Sequence, residues 1–265
     1  MEPNTFEQSG KRTENSSMLL DYAPETELKN RITAYWTKRS EGFAELKHKE
    51  LHGEISDLWL EEIQKYIPHG KTLHILDVGT GSGFFSLLLA GQGHKLTGID
   101  LTPSMIESAE KLAANHQIDA DFMVMDAENL SFPNETFDVV ISRNLTWTLP
   151  HPEQAYREWL RVLKKGGIIL NFDADYGNEK TADFHELPTE HAHNTIGLEM
   201  MQENDRIKEK LSISKFLRPA WDVQTLLNLG VEKISVDTGV GKRIYKKKDI
   251  FYNPTPIFTL CAVKE

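Results

Sequence analysis

The sequence predicts an α/β fold in which helices cover both faces of a parallel sheet. From about residue 73 to residue 175, short apolar segments rich in branched residues alternate with segments whose apolar residues recur at helical spacing. The first of these apolar segments ends in a glycine-rich loop that leads into a helical pattern. Strands that alternate with helices in this way form parallel sheets, because right-handed crossovers place the helices on both faces.

Two helices are predicted before the first strand. Residues 1–25 are polar and rich in Asn, Ser, Thr and Glu, so we expect a flexible N-terminal arm. From Glu27 to Tyr66 the apolar residues recur at helical spacing, and Pro68 and Gly70 mark the end of this pattern. We therefore expect residues 26–70 to form a helical cap.

The alternating part of the chain contains five predicted strands. They comprise residues 73–79, 95–100, 121–125, 137–142 and 167–172. The helices between them comprise residues 82–92, 103–115 and 152–163. We assign residues 71–175 to a cofactor-binding core on this pattern.

The alternation stops after Asp175. A helical pattern over about residues 184–211 predicts an insertion or lid, which we place at residues 176–220. Residues 221–265 then predict a helix and two strands that form a closing antiparallel hairpin, with the basic run 242–248 as its solvated face. The linker signals are too weak to divide residues 26–265, so we expect a single domain.

Composition excludes several classes of partner. The chain has 30 Lys and Arg against 40 Asp and Glu, a net charge of −10, which opposes binding to nucleic acid or an anionic membrane. The single cysteine, Cys261, has no partner for an internal disulfide. The first residues lack the basic start and apolar stretch of a signal peptide, and no segment approaches a membrane span. We expect a cytoplasmic protein with a small-molecule partner, either monomeric or homodimeric.

The most informative motif is DVGTGSG, residues 77–83. Glycines at this place let the chain turn tightly and let a ligand approach the backbone. A dinucleotide motif would need a glycine where Phe84 or Ser86 stands. A phosphate-binding loop would need a lysine in the place of Phe84. The spacing therefore favours another nucleotide-like ligand.

Two carboxylates narrow the ligand further. Asp100 ends the second predicted strand 17 residues after Gly83, where its side chain can accept hydrogen bonds from both hydroxyls of a ribose. Asp77 favours a cationic group and is a poor neighbour for a pyrophosphate. An adenosine that carries a positively charged amino-acid tail satisfies both conditions.

Four segments resemble the class I S-adenosylmethionine-dependent methyltransferases, specifically the small-molecule "methyltransferase type 11" group. They are ILDVGTGSG, GIDLTPSMIESAE, DAENLSFPNETFDVVISRN and EWLRVLKKGGIIL, and they extend over about two fifths of the chain. The resemblance implies a Rossmann-like, mostly parallel sheet of seven strands in the order 3-2-1-4-5-7-6. It also implies S-adenosylmethionine as cofactor and an in-line methyl transfer to a small acceptor.

The resemblance assigns cofactor contacts to the glycine loop and to the ends of the next strands. Gly79, Gly81 and Gly83 would pass under the methionine part, with Arg143 and Asn144 beside it. The other contacts that it implies, around the loop, the ribose and the adenine, are Asp77, Thr80, Asp100, Leu101, Met105, Asp126 and Ala127. Among these, Asp100 would hold the ribose, Met105 would pack on the adenine, and Asp126 with Ala127 would meet its amino edge.

The cap contributes two further candidates. Tyr35 and Arg39 are four residues apart and share a helix face, so Arg39 can pair with the cofactor carboxylate through its planar guanidinium. The alternative is that Trp36 belongs to the core and Arg39 is a surface charge. The cap and the insertion together would form a lid that selects the acceptor.

No residue is assigned as a catalytic base. His151, Asp173 and Tyr176 follow the fourth and fifth strands, where acceptors bind, although helix capping or solvation explains them equally well. We expect no metal site from His185, His191 and His193, because an H-x-H pair does not share a helix face and no cysteine assists it.

Two alternative functions remain beside methyl transfer to a small molecule. An RNA methyltransferase would share the core, but the negative charge and the lack of a basic or aromatic binding module oppose it. The place of an N-P-P-[YF] motif, which marks amino methylation of adenine and related amides, reads Arg143-Asn144-Leu145-Thr146. The second alternative is a protein that binds S-adenosylmethionine without turnover.

Overall fold

A computed structural model describes residues 24–178 and 196–265 of the chain. Most of the predicted N-terminal arm lies outside the described residues. The same holds for His185, His191 and His193 and for much of the predicted insertion.

Seven strands form one sheet in the order β3-β2-β1-β4-β5-β7-β6, which confirms the predicted topology. The strands β1 to β5 run parallel, and β7 runs antiparallel to both β5 and β6. Their bounds are β1 His74–Val78, β2 Lys95–Asp100, β3 Asp121–Val124, β4 Phe137–Arg143, β5 Leu163–Ala174, β6 Lys233–Asp237 and β7 Ile257–Val263.

Helices cover both faces of this sheet. Their bounds are α1 Pro24–Leu51, α2 Glu54–Gln64, α3 Phe84–Ala90, α4 Pro103–His116, α5 Pro152–Val162, α6 Leu198–Lys210, α7 Ala220–Asn228 and α8 Val240–Ile244. Of these described helices, none combines the length and the apolar character that crossing a membrane requires.

Alternate residues of the central strands supply two separate cores. In β1, Ile75 packs with Trp59 of α2 and Phe85 of α3 on one face. Its neighbour Leu76 packs on the other face with Trp159 of α5. Successive side chains of a strand point to opposite faces, so a sheet buried on both sides needs the continuous apolar runs found here.

The main differences from the predicted elements lie near the C-terminus. The short helix α8 was not predicted, because five residues are too few to show a helical period, and it buries Val240 and Ile244. The expectation that residues 242–248 form a solvated face was wrong for Ile244, which is buried, whereas the Arg243 side chain stays 40% exposed while it pairs with Glu62 and Asp237. Lys242 and residues 246–248 are exposed, as expected.

A buried ion network joins β5 to α7. The Arg218 guanidinium donates hydrogen bonds of 2.9 and 2.7 Å to the two carboxylate oxygens of Asp222 and lies 3.1 Å from Asp173. Both carboxylates are fully buried. Burial raises the pKa of Asp173, and the Arg218 charge opposes that rise. Arg218 is therefore the counter-charge that the structure places beside both buried carboxylates.

Arg218→Ala should lower the free energy of unfolding by about 3–5 kcal/mol, because it leaves two buried carboxylates without a counter-charge. The loss should shrink at acidic pH, because the raised pKa of Asp173 lets that carboxylate take up a proton and lose its charge. Urea unfolding of the purified protein measures both effects. Arg157→Ala is the matched control, since Arg157 forms an exposed pair with Glu153 and should contribute less than about 1 kcal/mol. Equal losses in the two variants would contradict this account.

Candidate active site

A cavity of about 330 Å³ opens at the carboxyl ends of β1, β2, β3 and β4, beneath α1. This volume is within the range of sites for small molecules and cofactors. All of the predicted cofactor residues except Gly83 line it. Those that do are Tyr35, Arg39, Asp77, Gly79, Thr80, Gly81, Asp100, Leu101, Met105, Asp126, Ala127, Arg143 and Asn144.

The glycine loop forms the floor of this cavity. Gly79 and Gly81 have φ angles of +67° and +55°, in the left-handed region that favours glycine. A Cβ at Gly79 would lie 2.7 Å from Leu145, and one at Gly81 would lie 3.0 Å from the ring of Phe43. Gly83 has a different role, because a Cβ there would meet Ala109 at 3.2 Å, outside the cavity. Gly83 was predicted to contact the cofactor, but it does not line the cavity and instead packs against α4.

Asp77 holds the loop from below. Its Oδ2 accepts hydrogen bonds from the Thr80 hydroxyl at 2.7 Å and from the backbone and hydroxyl of Ser86 at 3.1 and 2.8 Å. Burial raises the pKa of Asp77 to about 6, although these hydrogen bonds oppose the rise. At neutral pH the side chain is therefore mostly ionised and can balance a positive charge in the cavity.

Asp100 ties the loop to the end of β2. One of its carboxylate oxygens accepts from the Gly81 backbone N–H at 3.1 Å, and the other accepts from Thr102 at 2.8 Å. Burial raises the pKa of Asp100, and the two N–H donors oppose that rise. Each oxygen keeps a further lone pair, so the carboxylate can still accept from hydroxyl groups. Met105 lies close by in the first turn of α4 and is buried.

Asp126 connects the end of β3 to α1. It accepts a hydrogen bond of 2.7 Å from Lys29 and one of 2.9 Å from the Glu128 backbone, and Lys29 also pairs with the Glu128 carboxylate. Burial lowers the pKa of Lys29, but the hydrogen bonds to the two carboxylates raise it overall. Sequence reasoning missed Lys29, because nothing along the chain relates α1 to a residue almost a hundred positions later.

The cap helix α1 covers the cavity. Tyr35 is buried, which raises the pKa of its hydroxyl, and the nearby Arg39 charge opposes that rise. Arg39 is half-buried, and its Nη1 is enclosed without a hydrogen-bond partner among the described residues. It is therefore not the solvated surface charge of the alternative interpretation. Its unused donor belongs to a residue that lines the cavity.

A buried cluster around Glu50 was not predicted. Its Oε1 accepts from Arg143 at 2.7 Å and from the indole N–H of Trp59 at 3.1 Å, and its Oε2 pairs with Lys47. The Arg143 guanidinium lies 4.2 Å from the centroid of the Trp59 ring. It also donates a hydrogen bond of 3.2 Å to the hydroxyl of Tyr245. The spacing of Lys47 and Glu50 on one helix face could have suggested their pairing. Only the fold brings Arg143 to them.

This cluster carries more positive than negative charge. Burial and the neighbouring Arg143 lower the pKa of Lys47 to about 8. Burial alone would raise the pKa of Glu50, but the two cations outweigh it and hold the pKa at about 2. Nε and Nη1 of Arg143 are buried and find no partner in the described part of the chain. Two cations around one carboxylate can therefore accept an additional anion.

Of the three catalytic candidates, Tyr176 alone lines the cavity. Its hydroxyl donates to Asn144 Oδ1 at 3.1 Å and accepts from Asn253 at 2.8 Å, and its ring lies 5.3 Å from that of Trp147. Asp173 belongs to the Arg218 network. His151 is an exposed residue at the start of α5, where its backbone N–H bonds to Glu128.

The part of the chain that forms the floor of the cavity matches a known protein family. Residues 76–171 match the family model described as "Methyltransferase domain". This segment, from β1 into β5, contains the glycine loop and the ends of four strands that face the cavity. The match covers less than half of the chain, and over this segment the chain is similar to methyltransferase domains.

Individual relatives support the same assignment for the core. A "Ubiquinone biosynthesis O-methyltransferase" of Coxiella burnetii is 33% identical over 40% of this chain and 47% of its own length. A "2-methyl-6-phytyl-1,4-hydroquinone methyltransferase" of Synechocystis is 37% identical over 46% of this chain and 38% of its own length. The chain thus spans about half or less of these curated relatives.

A solved structure resembles a larger part of the chain than these relatives do. Phosphoethanolamine N-methyltransferase 2 of Haemonchus contortus, in complex with S-adenosyl-L-methionine, aligns with a TM-score of 0.55 and 18% identity. The alignment covers 77% of this chain and 51% of the other. At this identity the likeness establishes a shared Rossmann-like fold.

Gly79→Ala should destabilise the protein more than Gly93→Ala does. Both glycines have positive φ, but a Cβ at Gly93 meets nothing within 4 Å, whereas one at Gly79 meets Leu145. Gly93→Ala should therefore cost about 1–2 kcal/mol for the backbone alone, and Gly79→Ala about 1–3 kcal/mol more for the overlap. Urea unfolding measures the difference. Adding Leu145→Ala should reduce the excess, and equal losses in the two single variants would show that the contact is relieved at no cost.

Glu50→Gln should lower the pKa of Lys47 below its present value of about 8, because the variant leaves two buried cations side by side. NMR titration of the lysine side chains measures this value. Glu45→Gln is the matched control, since Glu45 forms an exposed pair with Lys49 on the same helix. An unchanged Lys47 titration in Glu50→Gln would contradict the described pairing.

Proposed function

We propose that the protein transfers the methyl group of S-adenosylmethionine to a small-molecule acceptor. The observation that carries this proposal is the cavity itself. It combines two glycines, a carboxylate at the end of β2 and two arginines, Arg39 and Arg143, where the strand ends meet α1. The activity of the whole chain, its acceptor and the role of each residue belong to this proposal.

The residues present fit the cofactor. Gly79 and Gly81 line the cavity without side chains of their own, and Asp77 beneath them offers negative charge to a cationic ligand. Asp100 would accept from the ribose hydroxyls while it holds the loop. Arg39 would direct its unused donor to the carboxylate of the methionine part.

The adenine would lie between α4 and the end of β3. Met105 offers an apolar contact there, and Asp126 with Ala127 forms the polar edge. Lys29 holds Asp126 in place from α1, so the cap would bear on this edge of the site.

When bound, S-adenosylmethionine supplies a methyl group on a positively charged sulfur that is its own leaving group. The chain therefore has to align the acceptor, exclude water and, where the acceptor requires it, accept a proton. The cap α1 and the described part of the insertion, α6, both line the cavity and would exclude water. The Tyr176 hydroxyl, held by Asn144 and Asn253, would orient the acceptor.

We infer an acceptor with a planar, apolar body. Aromatic residues line the part of the cavity around Tyr176, namely Trp147, Phe251 and Tyr252. Such rings bind flat apolar groups well, and their polar edges orient a hydroxyl or amine. The names of the two curated relatives, which refer to ubiquinone and to a hydroquinone, support an acceptor of this shape.

The alternative of an RNA substrate receives less support. The net charge of −10 opposes a polyanion, and the cavity is covered by α1 and α6. A binding protein without turnover has the same cofactor site and differs only in the absence of methyl transfer.

Calorimetric titration with S-adenosylhomocysteine tests the cofactor, with NAD as the control ligand. We expect the native chain to bind S-adenosylhomocysteine and not NAD. The affinity for S-adenosylhomocysteine should fall about tenfold or more in Asp100→Asn, because this variant loses a charge-assisted acceptor. Asp121→Asn makes the same change at an exposed position of β3 and should bind as the native chain does. No binding to the folded native chain would overturn the proposal.

Transfer of labelled methyl from S-adenosylmethionine to a panel of phenols, quinols and amines then tests turnover. Product formed from a member of this panel supports the enzyme. Cofactor binding without methyl transfer to any of them, or to RNA, would favour the binding protein.

A further inference from the structure

Three histidine side chains meet where the end of α1 faces the end of α4. His48 lies in the last turn of α1, His52 follows one turn later, and His116 is the last residue of α4. The ring centroids are 4.6 Å apart for His48 and His52, 4.7 Å for His52 and His116, and 5.8 Å for His48 and His116. One nitrogen atom from each ring lies within 4.8 Å of the other two.

These distances suit a shared metal ion. Imidazole nitrogens bind zinc at about 2.0–2.1 Å in a tetrahedron, which places neighbouring ligand atoms about 3.4 Å apart. The three nitrogens lie within 4.8 Å of one another, which is close enough for a shared ion after small adjustments. His48 and His52 are exposed, so small rotations of their side chains can close the set around an ion.

The hydrogen bonds of the cluster leave ligand atoms available. Nδ1 of His52 lies 2.8 Å from the backbone oxygen of His48, and donation from Nδ1 fixes the tautomer whose Nε2 carries the free lone pair. Nε2 of His116 is buried and has no hydrogen-bond partner among the described residues. A metal ion would use a buried nitrogen that the protein otherwise leaves unsatisfied.

The donor set selects the kind of ion. The cluster contains three imidazoles, and in the described part of the chain it includes neither a carboxylate nor a thiolate. Nitrogen ligands favour zinc, nickel and copper, whereas magnesium and calcium require oxygen ligands. Three protein ligands also leave one tetrahedral position open for water.

We propose that His48, His52 and His116 form a binding site for a divalent transition metal of the zinc class. This departs from the expectation of no metal, which weighed His151, His185, His191 and His193 and none of the three histidines of this cluster. The pair at 48 and 52 has the helical spacing of metal ligands, but its third member comes from a helix 64 residues further along the chain.

The ion would join the cap to the core. Its ligands lie on α1 and α4, the helices that also supply Arg39 and Met105 to the cavity. None of the three histidines lines that cavity, so the metal would act on the position of α1 and not on the reacting groups. Metal binding and methyl transfer are therefore independent claims, each with its own test.

Titration of the full-length, tag-free and metal-stripped protein with Zn²⁺ tests the site. We expect His52→Ala and His116→Gln each to weaken binding of one Zn²⁺ per chain by at least about tenfold. Zn²⁺ should also raise the melting temperature of the native chain and not that of these variants. Co²⁺ should give the visible absorption of a site with three nitrogen ligands, and both variants should lose it.

Two controls make the test decisive. His69→Ala removes an exposed imidazole outside the cluster, and His191→Gln/His193→Gln removes the H-x-H pair; both should bind Zn²⁺ as the native chain does. Urea unfolding of the metal-free variants confirms that each is folded. The proposal is overturned if the native chain binds no Zn²⁺, or if His52→Ala and His116→Gln bind it undiminished.

Discussion

The carboxylate of Glu50 holds together the parts of the molecule that surround the cavity. It belongs to α1 and binds Lys47 of the same helix, Trp59 of α2 and Arg143 at the end of β4. Through Arg143 it also reaches Tyr245, which follows α8. A buried carboxylate is stable only if its partners stay in place. The cap, the central strand and the C-terminal segment are therefore positioned relative to one another by one charged group.

Arg218 is the centre of a second buried cluster, in which one cation lies between two carboxylates. It compensates the buried carboxylates of Asp173 and Asp222 and links the end of β5 to α7. Around Glu50 the cations exceed the anions, whereas around Arg218 the anions exceed the cations. The difference matters because Arg143 retains buried donors beside the cavity, while the charges around Arg218 lie within the protein and outside the cavity. The first cluster can take part in ligand binding, and the second supports the fold.

The sequence predicted the sheet and the cofactor loop because both depend on local patterns. Short segments of the chain are enough to recognise apolar runs, helical spacing and the glycines of residues 77–83. The order of the strands came from the resemblance to a known family that these segments carry. The sequence did not predict α8 or the burial of Ile244, because a basic stretch that packs against α2 has the same composition as a solvated one. Nor did it distinguish Gly83 from Gly79 and Gly81. All three have positive φ, and their neighbours come from distant parts of the chain.

The sequence by itself determined the class of fold, the glycine loop and the carboxylate of Asp100, since each follows from residues that are close together in the chain. Only the tertiary structure decided which residues of α1 pair with the side chains at the strand ends. Glu50 and Arg143 are 93 residues apart, and Lys29 and Asp126 are 97 apart, so no local pattern records these pairs. Electrostatic and packing interactions depend on distance in space. These residues come close together only when the sheet has brought the ends of its strands beneath α1.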